Sequence, residues 1–151
     1  MIRIITVGKK HPPWLEPAIQ RYQTRSTAPW DFRWDLVSSS SLKDADARSE
    51  ESARIMRRLR PDEIVILLDE TGQMLRSEDV SQRLEAWFAG GRSVSIIIGG
   101  AYGVSPELHS RATEVWSLSR LVFPHQLVRL ILAEQLYRAQ QIARGSAYHH
   151  S

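Results

Sequence analysis

The sequence contains no cysteine. This absence excludes disulfide bonds, thiolate metal sites and a cysteine nucleophile, and it is typical of proteins from a reducing compartment. The chain also has no run of the roughly 18 apolar residues that a membrane-spanning helix needs, and its first residues form too short an apolar run for a signal peptide. We therefore expect a cytoplasmic protein with no membrane segment.

Several motifs of common enzyme classes are missing as well. The G-x-G-x-x-G fingerprint of dinucleotide-binding enzymes is absent after the first predicted strand, where only Gly8 is found. A Walker phosphate loop and the G-x-S-x-G elbow of α/β-hydrolases are also absent. The five histidines show no ligand spacing on a shared helix, so we expect no metal site.

The composition is that of a folded protein with an uneven charge. The 151 residues are 42% hydrophobic, and neither a linker nor an internal repeat divides them, so we predict a single domain over residues 1–151. The formal net charge is +3, but residues 1–60 carry 12 Lys and Arg against 7 Asp and Glu, whereas residues 61–151 carry 8 against 10. This asymmetry indicates an anionic partner on the N-terminal side of the protein.

Predicted strands alternate with predicted helices along the chain. The strands are expected at 2–7, 30–36, 63–68, 94–98 and 115–119, and the helices at 12–22, 42–59, 77–88, 106–111 and 125–143. Four of the strands are continuous apolar runs, which favours an α/β fold with a mainly parallel sheet and helices on both faces. The last helix is apolar around most of its circumference, so it either crosses the middle of the domain or meets a second copy in a dimer.

The segment VSIIIGGAYG at 94–103 joins a buried strand to glycines at positions 99, 100 and 103. Bare backbone after a strand suits the floor of a ligand pocket, but a two-glycine turn is also a common structural device, and the spacing alone leaves both open. His125 follows Pro124 at the start of the last helix, where the positive end of the helix dipole lowers the pKa of an imidazole. Its alternative role is a cap that hydrogen-bonds the preceding loop.

The second half of the chain carries four motifs in order. They are IIIGGAYG at 96–103, SLSRLVFPHQLVR at 117–129, EQLYRA at 134–139 and YH at 148–149. In order and spacing these motifs resemble the RlmH (YbeA-like) family of small SPOUT-class methyltransferases. The resemblance is dense over residues 94–150 and thin over residues 30–60, where Glu51 precedes Ser52 and the family usually has a Glu-Gly pair.

The resemblance implies a mainly parallel α/β sheet with a deep C-terminal trefoil knot, in a homodimer. It also implies an enzyme that transfers a methyl group from S-adenosylmethionine to N3 of a pseudouridine in 23S (large-subunit) ribosomal RNA of the assembled ribosome. Three loops at 68–72, 99–103 and 118–124 are expected to converge around this cofactor. The expected cofactor contacts are Leu68, Gly99, Gly100, Gly103, Leu118, Ser119, Arg120, Leu121, Val122 and Phe123.

The side chains that the resemblance places nearest to the transfer are His125, Arg129, Tyr148 and His149, with the active site completed by the partner subunit. The residues leave open which of these takes the imide proton. An RNA-binding surface is expected at Lys9, Lys10, Arg21 and Arg25, with the arginines at 54–60 as further candidates that equally suit a solvated helix face. A non-catalytic ribosome- or RNA-binding protein of the same fold is the alternative function.

Overall fold

Five parallel strands form one sheet with helices on both faces. The computed structural model describes residues 1–150, with side chains as far as His149; Ser151, which the predicted domain includes, lies outside the described residues. The strands are β1 (Ile2–Val7), β2 (Phe32–Val37), β3 (Ile64–Met74), β4 (Val94–Ile98) and β5 (Glu114–Ser117), in the sheet order β2-β1-β4-β3-β5. The helices are α1 (Glu16–Gln23), α2 (Asp44–Met56), α3 (Ser77–Ala89), α4 (Pro106–Arg111) and α5 (His125–Ala143), followed by a short 3₁₀ helix, Ala147–His150.

Every neighbouring pair of strands is parallel, so the predicted parallel α/β sheet is confirmed. The central strands read as continuous apolar runs because both of their faces are covered; all five residues of β4 are buried. All five carboxyl ends therefore lie at one edge of the sheet, which is where ligands bind in open parallel sheets.

Two hydrophobic layers hold the helices to the sheet. On one face, α1, α3 and α5 pack over side chains such as Ile4, Ile66 and Ile96. On the other face, α2 and α4 pack over Ile5, Ile97 and their neighbours. Helix α5 lies against both α1 and α3, so two helices of the same chain cover part of its apolar circumference.

Two helix starts differ from the sequence prediction. Helix α1 begins at Glu16, and Pro17 rather than Pro12 or Pro13 occupies its first turn. Trp14 therefore precedes the helix and is 64% exposed. Helix α2 spans Asp44–Met56, a shorter segment than the predicted 42–59, and the residue before its first turn is Lys43.

Strand β3 runs further than predicted. The sequence signal of Asp69-Glu-Thr-Gly72 indicated a loop after Leu68, but the strand continues to Met74. Its pairing with β5 shifts between Leu68 and Gln73, since both lie opposite Trp116. The four residues between them form a bulge at the carboxyl edge.

Gly72 explains why this bulge closes. A Cβ at this position would lie 2.6 Å from the carbonyl carbon and oxygen of Val115. Only a residue without a side chain lets the two backbones come this close.

The remaining boundaries follow the sequence closely. Strands β1 and β4 and helices α4 and α5 have the predicted limits. Ser105 caps α4, with its Oγ accepting a hydrogen bond from the Leu108 N–H at 3.2 Å. Across residues 1–150, none of the helices is both long and apolar enough to span a bilayer.

Candidate functional site

A cavity of about 300 Å³ opens at the carboxyl ends of β3, β4 and β5. The three loops that the sequence predicts to converge meet at this cavity, and the start of α5 closes it. The lining residues are Leu68, Asp69, Glu70, Ile98, Gly99, Ala101, Gly103, Ser117, Leu118, Ser119, Leu121, Val122, Phe123, His125 and Val128.

Eight of the ten predicted cofactor contacts line this cavity. They are Leu68, Gly99, Gly103, Leu118, Ser119, Leu121, Val122 and Phe123. Gly100 and Arg120 are not among the lining residues. The contacts of the lining residues with a cofactor stay predictions.

Two glycines of the loop at 99–103 are required for different reasons, one for its backbone conformation and the other for the space beside it. Gly103 has a φ of +77°, and its N–H donates to the Gly100 carbonyl at 3.1 Å, which closes a tight turn on the cavity side. Gly100 faces away from the cavity, and a Cβ on it would overlap Oε1 of Glu51. Gly103 therefore shapes the cavity rim, and Gly100 makes room for Glu51 of α2.

Helix α2 holds the glycine loop at both of its ends. Glu51 packs against Gly100, and the adjacent Ser52 Oγ accepts a hydrogen bond from the Ser105 N–H at 2.8 Å. Both side chains are buried. In the sequence, only the comparison with the family's usual Glu-Gly pair sets Glu51 and Ser52 apart, and nothing there indicates that both side chains are buried against the glycine loop.

The loop between β5 and α5 forms an apolar rim. Ser117 Oγ donates to the Ser119 carbonyl at 2.9 Å, and Ser119 Oγ accepts from the Leu121 N–H at 3.0 Å. These two bonds fix the turn that carries Leu121 and Val122, which are 71% and 82% exposed. Two large apolar side chains held in solvent beside a cavity are suited to covering a ligand or a partner surface.

Carboxylates supply the polar side of the cavity. Asp69 and Glu70 come from the β3 bulge. Asp69 Oδ2 accepts hydrogen bonds from the Thr71 N–H, at 3.1 Å, and from the Thr71 hydroxyl, so Asp69 also caps its own turn. Neither residue is among the cofactor contacts that the family resemblance predicts.

His125 is the first residue of α5, and its exposed side chain lines the cavity. The surrounding protein partly desolvates the imidazole and lowers its pKa below 6.5. The positive charge of Arg129 lowers this pKa further, whereas the charge of Glu51 raises it. The imidazole is therefore neutral at neutral pH and able to accept a proton, as the sequence predicts, and burial and Arg129 are the causes that the structure identifies.

Arg129 is placed differently from its predicted role. It is only 3% exposed, and it does not line the cavity. Its Nη1 donates to the Lys9 carbonyl at 2.8 Å and lies 3.1 Å from Nδ1 of His11. Burial lowers its pKa. Arg129 thus ties the loop after β1 to α5, and it reaches the cavity through its charge rather than by contact.

Gly8 makes room for this arginine. The residue has a φ of +128°, and a Cβ on it would lie 3.0 Å from Nη2 of Arg129. The ring of His11 packs edge-on against Trp34 with centroids 4.6 Å apart, which fixes the second acceptor of the guanidinium. The single glycine after β1 is thus a packing requirement, not part of a phosphate-binding motif.

Tyr148 and His149 fold back along α5 and do not line the cavity. The Tyr148 hydroxyl donates to Glu134 Oε2 at 3.0 Å, and His149 Nε2 lies 2.8 Å from Glu78 Oε1 of α3. Arg138 donates to the His149 carbonyl at 3.0 Å and lies 5.0 Å above the Tyr148 ring. Burial first, and then the bond to Glu134, raise the pKa of Tyr148 to about 12, so its hydroxyl stays protonated.

The tail of a chain and its own His125 are separated by the geometry of α5. Glu134, which holds Tyr148, follows His125 by nine residues. In an α-helix this offset is about 14 Å along the axis and two and a half turns, so the two residues face opposite sides. Within one chain, the four predicted catalytic residues are therefore not brought together.

The predicted basic surface divides between the two edges of the sheet. Lys9 and Lys10 are exposed on the loop after β1, at the cavity edge. Arg57 and Arg60 lie toward the opposite edge, where the chain returns to the start of β3, whereas Arg54 donates to the Ser38 carbonyl just after β2 at 2.9 Å. Two of the arginines at 54–60 are already paired, Arg58 with Asp35 and Arg54 with Glu50.

Comparison with solved structures establishes the fold. A probable methyltransferase from Bordetella pertussis Tohama I superposes with a TM-score of 0.55 at 14% identity, covering 91% of this chain and 95% of that chain. TrmJ from Z. mobilis ZM4 superposes with a TM-score of 0.51 at 16% identity, covering 93% of this chain and 70% of that chain. At these identities the likeness concerns the fold alone.

Comparison of sequences establishes the family. Ribosomal RNA large subunit methyltransferase H of Dichelobacter nodosus is 41% identical over 98% of this chain and 97% of that protein. The protein of the same name from Thioalkalivibrio sulfidiphilus is 39% identical over 98% of this chain and 97% of its own. A family profile described as predicted SPOUT methyltransferase matches residues 1–149. The resemblance predicted from four motifs is thereby confirmed, and the chain belongs to the SPOUT methyltransferase family.

Proposed function

We propose that the protein is an S-adenosylmethionine-dependent methyltransferase that methylates N3 of a pseudouridine in large-subunit ribosomal RNA of the assembled ribosome. The names of its full-length relatives support the RNA substrate. The observation that carries the proposal is the cavity at the carboxyl edge, which combines bare backbone, carboxylates and a neutral histidine. An enzyme of assembled ribosomes works in the cytoplasm, which is the proposed location.

The residues of the cavity fit S-adenosylmethionine. Bare backbone at Gly99 and Gly103 leaves peptide groups open to an adenosine and an amino acid, and the leucines of the rim suit a flat apolar ring. Asp69 and Glu70 can accept hydrogen bonds from ribose hydroxyls and favour a positively charged sulfonium. When bound, this cofactor supplies an electrophilic methyl group.

The chain's own residues then orient the target base, exclude water and remove a proton. An imide nitrogen attacks well only after it loses its proton, so a base must lie beside the methyl donor. His125 is the histidine that lines the cavity, and we assign it this task. The charge of Arg129, which does not line the cavity, favours a developing negative charge on the target nucleobase. Arg129 also holds the loop that carries Lys9.

We further propose a homodimer in which the partner's Tyr148 and His149 complete the site. An apolar groove of about 550 Å³ lies between α1 and α5, on the side of α5 that carries Glu134. It is lined by Pro17, Ala18, Arg21, Tyr22, Leu130, Ile131 and Glu134. Because the tail docks beside this groove on the side opposite to His125, a second copy seated there could bring one chain's tail to the other chain's cavity.

The same arrangement supports the knot. Strand β5 ends at one border of the sheet, yet α5, which follows it, contacts the loop after β1, beyond β3 and β4. The intervening loop lines the same cavity as the loops after β3 and β4. We propose that α5 is threaded through these loops as a deep trefoil knot, in one domain that spans residues 1–151.

The decisive experiment is mass analysis of ribosomal RNA from ribosomes that lack the modification, treated with the protein and S-adenosylmethionine. We expect a gain of one methyl group on a pseudouridine of the large-subunit RNA. Absence of this gain contradicts the proposed reaction. Calorimetry with S-adenosylmethionine identifies the alternative, since a non-catalytic RNA-binding protein gives no saturable heat with the cofactor.

A further inference from the structure

One acid of α2 is buried without a full set of partners. Glu51 is 4% exposed, and its Oε2 accepts a hydrogen bond from the Ser40 N–H at 2.9 Å. Its Oε1 is buried and has no hydrogen-bond partner among the described residues. A buried carboxylate oxygen without a hydrogen-bond partner is destabilising. A residue kept at such a cost needs a reason beyond packing.

The unpaired oxygen lies directly beneath the rim of the cavity. It faces Gly100, the second glycine of the loop at 99–103, and Val7 at the end of β1 borders the same space. The carboxylate is thus held between the carboxyl ends of β1 and β4, on the face of the sheet covered by α2. The absence of a side chain at Gly100 is what allows it to come this close.

Two buried groups of opposite charge, carried by helices on opposite faces of the sheet, act on His125. Arg129 approaches from the face covered by α1 and α5, and Glu51 approaches from the face covered by α2; their charges act on the imidazole in opposite directions. Asp69 and Glu70 line the same cavity from the β3 bulge. His11, the remaining titratable group nearby, contacts Arg129 and is itself neutral at neutral pH, since burial and Arg129 lower its pKa.

We propose that Glu51 is a positioning residue for methyl transfer, whose buried charge beneath the glycine loop stabilises the imidazolium that His125 forms. This proposal rests on the proposed function. In the step, the N3–H proton passes to the imidazole, the N3 electron pair forms a bond to the methyl carbon, and the carbon–sulfur pair stays on sulfur. One positive charge therefore moves from the sulfonium to His125. Glu51 offsets Arg129, which would otherwise oppose this charge.

The test is Glu51→Gln, which keeps the shape and removes the charge. We expect the pKa of His125, followed by NMR on the whole protein, to fall, and the acidic limb of the methylation pH profile to move to lower pH with it. The single-turnover rate at neutral pH should fall by about three- to tenfold, because a weaker base removes the proton. The dissociation constant for S-adenosylmethionine should change by less than about twofold, since Glu51 does not line the cavity. Asp46→Asn, an equal charge change at an exposed position of the same helix, is the matched control.

The outcomes separate this proposal from the proposed function. The titration of His125 needs no turnover, so it tests Glu51 even if the wild-type protein methylates no RNA. An unchanged His125 titration in Glu51→Gln overturns the proposal, and so does a loss of cofactor affinity with an unchanged pH profile, which would indicate a structural role. If Glu51→Gln does not fold, Glu51→Asp takes its place: the shortened acid should give a His125 pKa below the wild-type value with a smaller loss of rate. A His125 titration identical to that of the wild type in Glu51→Asp would contradict the proposal.

Discussion

Arg129 holds the loop after β1 through one end of its buried guanidinium. Its Nη1 bonds the Lys9 carbonyl and contacts His11, and Gly8 leaves the space for its Nη2. A lysine at this position keeps the charge, but its shorter side chain lacks the planar group whose Nη1 reaches both contacts and whose Nη2 fills the space beside Gly8.

We therefore expect Arg129→Lys to reduce the free energy of unfolding by about 2 kcal/mol, as the loss of hydrogen bonds from a buried charged group does. Denaturant unfolding followed by tryptophan fluorescence measures this change. Arg120→Lys, at an exposed position, is the control and should unfold like the wild type. Equal stability of the two variants would show that the contacts of Arg129 do not stabilise the loop.

The two histidines near Arg129 predict how stability depends on pH. Burial and Arg129 lower the pKa of His11 and of His125 below 6.5 in the folded state. The unfolded chain then binds more protons than the folded one in this range, so the stabilisation is complete above pH 6.5 and is lost as the pH falls through the folded pKa values.

We expect the melting temperature to fall between pH 7 and pH 5. In His11→Gln this fall should be smaller, because one of the two groups no longer titrates. Thermal unfolding at a series of pH values makes the comparison. Parallel curves for the variant and the wild type would exclude His11 as a source of the pH dependence.

Residue identities in the motifs could be predicted from the sequence, but their environments could not. The position of His125 at a helix start follows from Pro124, and the helix dipole predicts the direction of its pKa shift, but burial and Arg129 are the causes in the structure. The burial of Glu51 does not follow from the sequence, because α2 contains other acids with the same local sequence character, and only the packing of Gly100 distinguishes Glu51 from them.

At the scale of elements, the bulge of β3 fixes how β5 joins the sheet. The strand pairs with β5 on both sides of the bulge, and the close approach at Gly72 holds the backbone of Val115 against it. The bulge also carries Asp69 and Glu70 into the cavity. A change at Gly72 should therefore affect both stability and the cavity.

We expect Gly72→Ala to lower the free energy of unfolding by about 1–3 kcal/mol, because the added methyl group forces the two strands apart. Gly90→Ala is the matched control, since its φ is −82° and its nearest contacts would be an ordinary 3.6 Å away. Chemical unfolding measures the change in stability, and calorimetry with S-adenosylmethionine measures the effect on the cavity. Gly72→Ala with wild-type stability would mean that the bulge relaxes without cost.

The sequence predicted the type of each element better than its limits. Asp69-Glu-Thr-Gly72 has the composition of a turn, and the pairing with β5 that overrides this preference is a long-range contact that no local pattern contains. Similarly, Pro12 and Pro13 resemble a first helical turn, whereas Pro17 occupies it. Both errors arise where tertiary contacts, rather than local propensity, decide the backbone.

At the scale of the whole molecule, the positive side chains at the two edges of the sheet are expected to differ in their contribution to RNA binding. Lys9 and Lys10 lie at the cavity edge, and Arg57 and Arg60 lie at the opposite edge. RNA that enters the cavity should contact the first pair and not the second. The sequence could not make this distinction, because it fixes the charges but not the edge to which α2 carries them.

We expect replacement of Lys9 and Lys10 by glutamine to weaken ribosome binding and to reduce its salt slope by about 2. The double replacement of Arg57 and Arg60 by glutamine makes the same change of charge at the far edge and should leave both quantities as they are. Binding measured at several salt concentrations tests this. Equal losses in the two variants would indicate non-specific attraction by the whole protein.

The proposed composite site predicts complementation between two inactive variants. Removal of residues 148–151 should abolish methylation and spare cofactor binding, and His125→Ala should abolish methylation as well. When equal amounts are mixed, about half of the dimers contain one chain of each variant, and one of the two sites in such a dimer has an intact histidine and an intact partner tail. About a quarter of the wild-type activity should therefore return. Activity assays on remixed variants measure it, and no recovery would place the tail and His125 of one site in the same chain.

The placement of His125 and Glu134 on opposite sides of α5 has a kinetic consequence. If neither chain can bring its own tail to its own cavity, a separated chain has a cofactor cavity without a complete reaction site. Specific activity should then decline on dilution, with the rate approaching second order in protein concentration below the dissociation constant of the dimer. The pitch of a single helix would in this way make the concentration of the protein a determinant of how fast each molecule works.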